Sequence, residues 1–158
     1  MNNLLIWLIC VLLLAVPTLA TAQEKSATPP TPAEWRVKIQ ADKKGIVERS
    51  MNLTADEAAK FWPIYESFQR ELERPQREYR QAVIDYVATE SSLTDANAKR
   101  LVEQALAAAV ADARVRQKYF KKFAGVLPAK KAARYMQLEN KIQAVLRYET
   151  AAAVPLAQ

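Results

Sequence analysis

The sequence predicts an all-α protein, an elongated, curved four-helix hairpin-type domain, and three observations carry that reading. Glycine is scarce, 2 in 158 residues, while Ala, Glu, Lys, Arg and Gln are abundant, a composition that favours helices over a turn-rich β fold. Apolar residues between Phe61 and Tyr86 recur at alternating spacings of four and three, the period of one helical face. Helix-start chemistry recurs along the chain, at Leu53-Thr54, Leu93-Thr94 and Leu127-Pro128. The same composition narrows the chemistry. With no histidine, the usual general base and commonest metal ligand are missing. Two glycines cannot write a phosphate-cradling loop. The chain is therefore expected to be no enzyme and to need no cofactor.

Taken in order, residues 1–22 read as a secretory signal. Leu4 to Leu14 is an apolar run containing Trp7 and Cys10, followed by Pro17 and the small-residue stretch Ala20-Thr21-Ala22. The run is shorter than the roughly 20 residues of a membrane span. Cleavage there removes the one cysteine, so the exported form is expected to be held by packing without disulfides. Residues 23–33, with Pro29, Pro30 and Pro32, read as a flexible leader. The helical domain is expected over 34–152, and 153–158 form a tail.

The first helix is expected from Glu34 to about Ser50, with Trp35, Ile39 and Ile46 apolar and a break possible at Gly45. The second starts sharply. Thr54 and Glu57 make a capping box, the Thr hydroxyl accepting from the Glu57 N–H while the carboxylate reaches back, and Leu53 precedes it as a staple. Its seam runs Phe61, Tyr65, Phe68, Leu72, Pro75, Tyr79, Ala82 and Tyr86, straight through Pro63 and Pro75, which predicts bends rather than ends. Trp62 lies one position off it, as a second packing face or an exposed contact. At Ser91-Ser92 the pattern stops, and Thr94 with Asp95 opens a third helix. Its stripe is read as Val102, Leu106, Ala109, Ala113, Phe120 and Phe123, interrupted by Arg116, with Gly125 as its C-terminal cap. The fourth helix begins near Pro128 and carries Tyr135, Leu138, Ile142 and Val145 to about Ala152. A second helix from 55 to 90 would be roughly 54 Å long, too long for a compact ball, and its aromatic seam is open to serving as core, as a contact with a second copy or as a client-binding surface. A homodimer is expected.

Charge is informative once divided. Residues 23–112 hold 13 basic and 15 acidic side chains, whereas 113–158 hold 10 basic and 2 acidic. Glu66–Arg70 and Glu73–Arg77 are spaced as i,i+4 pairs. Arg114, Lys118, Lys121 and Lys122 have no acidic neighbours on their own helix, and Lys130, Lys131 and Arg134 lie close in sequence. This basic face is the candidate partner-binding site, weighed against an ordinary solvated surface. In an exported protein its targets would be acidic partners, unfolded chains or anionic membrane surfaces rather than nucleic acid. Asp56-Glu57 belongs to the capping box and not to acid/base catalysis.

The starts Leu53-Thr54-Ala55-Asp56-Glu57 and Leu127-Pro128-Ala129-Lys130-Lys131, about 74 positions apart in a small exported helical chain, resemble those of the Spy/CpxP-like periplasmic proteins, whose helices open on Leu-Thr-x-x-Gln. Glu57 stands for Gln at the first start, and Pro128 and Lys131 stand for Thr and Gln at the second. The resemblance covers about residues 34–150. It implies a curved four-helix protomer pairing into a cradle whose concave face, basic and apolar, binds unfolded or misfolded envelope proteins without ATP. Some relatives instead damp an envelope-stress sensor, a role in which this chain's basic face would dock on an acidic sensor domain, and others bind metal. Beyond residue 22 this chain has no His or Cys, and its only methionines are Met51 and Met136, so no metal site is expected.

Overall fold

The computed structural model describes residues 31–157. The expected signal segment and residues 23–30 of the expected leader lie outside the described residues. Those described form four α-helices: α1 Pro32–Met51, α2 Ala55–Thr89, α3 Asp95–Ala124 and α4 Ala129–Ala153. The fold is all-α.

Helix α1 starts two residues before its expected position. Thr31 and Glu34 form a capping box there, with Thr31 N–H donating to Glu34 Oε2 at 2.8 Å and Pro32 filling the first helical position. The break lies at Asp42 rather than Gly45. Asp42 leaves helical geometry (φ −152°, ψ 63°), and its Oδ1 accepts the Gly45 N–H at 2.7 Å, so it caps the second half of α1. A Cβ on residue 45 would lie 2.0 Å from Asp42 Oδ2. Glycine is present because the cap occupies the space of a side chain. The helix ends at Asn52 in the left-handed region (φ 47°), which asparagine tolerates.

Helix α2 begins on the expected capping box, with Thr54 N–H to Glu57 Oε2 at 2.8 Å and Glu57 N–H to Thr54 Oγ1 at 3.3 Å. It runs unbroken through Pro63 and Pro75 for 35 residues, about 52 Å. The predicted seam is its buried face: Phe61, Tyr65, Phe68, Leu72, Pro75 and Ala82 are buried, and Tyr79 and Tyr86 half-buried. A 3₁₀ turn at Glu90–Ser92 reverses the chain, and Thr94 caps α3 by accepting the Asn97 N–H. Gly125 closes α3 with an ordinary right-handed backbone, its N–H donating to Lys121 O. Pro128 stands at the N-cap of α4, one residue ahead of the helix.

Cross-contacts set the directions. Glu57 meets Lys131, Gln69 meets Glu139 and Tyr86 meets Pro155, so α4 runs parallel beside α2. Ser50 meets Arg134 and Lys43 meets Glu139, so α1 runs antiparallel to α4. Helix α3 returns antiparallel along α2. The tail does not hang free, since the Tyr86 hydroxyl donates to the Pro155 carbonyl at 3.0 Å.

Aromatic rings fill the centre. Phe123 and Tyr135 have centroids 4.6 Å apart, and Phe61 lies 5.1 Å from Tyr135 and 5.3 Å from Phe123. The Phe61–Tyr135 and Phe123–Tyr135 pairs are edge-on, and such pairs contribute about 1 kcal/mol each beyond area burial. Trp62 is a second packing face: its indole meets Phe61 and Tyr65 edge-on, with the Lys44 ammonium 5.0 Å from its ring centre. One expected element is corrected. Of the predicted α3 stripe only Phe123 reaches the core. The buried line is instead Leu101, Ala108, Asp112, Tyr119 and Phe123.

Candidate interaction surface

Several members of the predicted basic face are engaged inside the fold. Lys118 Nζ sits 2.8 Å from both carboxylate oxygens of Glu71 on α2. That hydrogen bond raises the Lys118 ammonium above its ordinary pKa and holds the Glu71 carboxyl below the usual range. Lys131 Nζ bridges Glu57 Oε2 and the Asn52 carbonyl, and the Lys131 hydrogen bond, ahead of the Thr54 N–H, lowers the Glu57 carboxyl. Arg134 Nε donates to Ser50 O at 2.8 Å, satisfying a carbonyl at the end of α1. Carboxylates missing from the helix itself are thus supplied across helices, which the sequence alone did not indicate. Glu66 likewise turns to Lys44 of α1, at 3.0 Å, and not to Arg70.

Arg114, Lys121, Lys122 and Lys130 are exposed, and none has a carboxylate partner among the described residues. Lys122 lies 4.4 Å from the Tyr119 ring centre.

Beside them lies the stripe that the core did not use. Val102, Leu106, Val110 and Phe120 are 58, 62, 51 and 39% exposed. At 100° per residue they fall within about 80° of one another, on the side of α3 away from Leu101, Ala108 and Phe123. Ala109 and Ala113 complete the row, and Arg114 and Lys121 border it. The apolar periodicity read from the sequence is real, but it belongs to the solvent side. At the far end of the hairpin, Val102 joins Val83, Tyr86, Leu93 and Leu101 against tail residues Val154–Ala157 around a groove of about 300 Å³.

The aromatic seam, by contrast, is closed within one chain: Phe61 and Phe68 are 0% exposed and Leu72 1%. Sequence reading passed over one buried group. Glu139 is fully buried, its Oε1 accepting from Lys43 Nζ at 2.7 Å and its Oε2 from Gln69 Nε2 at 3.4 Å and the Tyr135 hydroxyl at 3.5 Å. Its signal was a carboxylate four residues after Tyr135 and three before Ile142, on the core line of α4. Among the described residues no group of three or more His, Cys, Asp or Glu is placed to hold a metal ion, and no helix is long and apolar enough to cross a membrane.

Comparison of the chain with models of known protein families, with curated proteins and with solved structures finds no match in any of the three.

Proposed function

We propose that this is an exported, periplasmic, ATP-independent chaperone-like protein that holds unfolded or stress-exposed proteins on the outer face of α3. The carrying observation is the exposed row Val102, Leu106, Val110 and Phe120 bordered by Arg114 and Lys121. Single exposed apolar residues are ordinary, but an aligned row beside unpaired cations suits fast charge-steered capture followed by non-directional apolar contact. The resemblance to Spy/CpxP-like proteins gains support from the two helix starts: they lie side by side, and Glu57 and Lys131, the two positions that stand for glutamine, pair with each other. A homodimer is part of the proposal. Its contact would use the α3 row or the hairpin tips, since the aromatic seam is already covered.

The test is light scattering from a reduced, aggregating substrate, with wild-type protein and the L106Q/V110Q variant. Stoichiometric suppression by the wild type is expected at low salt, weakened at least fivefold in the variant, with helical content and thermal midpoint unchanged. Absence of suppression at molar excess would sink the chaperone reading. Tight binding to a single acidic domain, with generic unfolded chains ignored, would favour a sensor modulator, the reading to which the exposed cations also lend themselves.

A further inference from the structure

All four helices contribute to a cavity of about 380 Å³ away from the α3 row, a volume at the small end of the range for small-molecule sites. Pro75, which stands on the core line between Leu72 and Tyr79, is among its lining residues.

The polar groups around this cavity combine arginines, which only donate, with glutamine amides that both donate and accept. Arg80 of α2 and Arg147 of α4 both line it. Neither has a carboxylate partner among the described residues. The Arg147 guanidinium lies 5.4 Å from the Tyr79 ring centre, a stacking that orients the group while leaving its N–H donors unused. Gln76 adds an amide nitrogen that is buried and has no acceptor among the described residues, and a buried donor without an acceptor is costly to keep. Among the described lining residues the carboxylate is Asp112, which Arg116 grips through Nε and Nη2, so it does little to cancel the positive field. Leu146 and Pro75 supply an apolar wall.

From this arrangement we propose that the cavity binds a small phosphate or carboxylate oxyanion carried on a short apolar body. The oxyanion is held between Arg80 and Arg147, takes the Gln76 amide N–H as that side chain turns toward it, and lays its apolar part against Leu146 and Pro75. Planar guanidinium donors match oxyanions in geometry as well as charge. This site is independent of the client-holding role proposed for α3, and either can fail without the other.

The test is an NMR titration, at pH 6, of protein purified from cells expressing the full chain, following the side-chain signals of Arg80, Arg147 and Gln76. The probes are octyl phosphate, octanoate, inorganic phosphate and n-octanol. Saturable shifts of all three signals are expected with octyl phosphate or octanoate. Affinity should fall at least tenfold in R80Q/R147Q, two exposed positions, with helical content and thermal midpoint measured alongside and expected unchanged. The Q76L variant should weaken binding while both arginines remain. Inorganic phosphate should bind at least tenfold more weakly than octyl phosphate; equal affinities would overturn the apolar half of the proposal. No saturable shift with either amphiphile, binding that survives in R80Q/R147Q, or the same shifts with n-octanol would overturn it entirely.

Discussion

Glu139 carries a negative charge to a position with no solvent exposure, whereas its partner Lys43 keeps 23% of its side-chain surface in water. The two halves of the pair are therefore unequal. Removing the carboxylate leaves an ammonium that can turn outward to solvent. Removing the ammonium strands a buried carboxylate whose remaining donors, Gln69 and the Tyr135 hydroxyl, sit at 3.4 and 3.5 Å. Breaking a buried pair from the side that leaves an uncompensated charge costs roughly 3 kcal/mol, while a polar replacement that keeps some hydrogen bonds costs about 1 kcal/mol. K43M should accordingly destabilise the protein clearly more than E139Q, read as urea midpoints at unchanged slope. Equal losses would show that the carboxylate reaches water by local opening. The sequence marks Glu139 as anomalous on an apolar line, but it does not name the partner: Lys43 is 96 residues away and Gln69 is 70.

At the scale of the helix, legibility depends on how much of the buried line is large and apolar. Helix α2 could be read because its seam is aromatic or aliphatic at nearly every step, so periodicity and burial coincide. Helix α3 carries two lines about 120° apart, and the one with the bulkier aliphatic residues faces solvent. Its core line includes Ala108 and Asp112, which no hydropathy pattern selects, and only the position of α2 decides between the two. Within the basic face, the acids that neutralise Lys118 and Lys131 come from other helices, which no single-helix pattern displays. In α1 a local signal was visible but placed three residues late, because glycine in a helix reads as the break when it is in fact the receiver of the cap. That arrangement predicts a coupled pair. D42A should cost about 1 kcal/mol by losing the cap to Gly45. G45A alone should also destabilise, because its Cβ collides with the Asp42 carboxylate. In the D42A background the same G45A change should instead stabilise by roughly 0.5–1 kcal/mol, as alanine ordinarily does in a helix. Additive effects across this double-mutant cycle would show that the carboxylate does not fill the space beside residue 45.

For the molecule as a whole, the ionisable groups that tie helices together set where in pH the fold holds. Glu57, through Lys131, joins the starts of α2 and α4, Glu71 joins α2 to α3 through Lys118, and Glu34 caps α1 through the Thr31 N–H. All three carboxyls are held below their ordinary pKa. A lowered pKa means the unfolded chain takes up protons first, so their stabilisation is present above about pH 4.5 and is lost as pH falls through the depressed values. The alkaline side has the opposite sign. Burial, and then the charge of Glu139, push Tyr65 up to about 12 and Tyr135 upward as well. The unfolded chain then releases those protons first, so stability is intact below about pH 10 and declines toward pH 12. Between the two edges the chain has no histidine to titrate, so the urea midpoint should be flat from about pH 5 to 9. Y65F should separate the contributions. It leaves the carboxylates untouched, so the acid edge stays in place, while removing one buried phenol moves the alkaline edge to higher pH. Tyrosinate absorbance at 295 nm, followed together with helical content, should show late phenol ionisation accompanying loss of helix in the wild type. An alkaline edge that does not move in Y65F would mean that Tyr65 is wetter than its place among Phe61, Trp62 and Tyr135 requires.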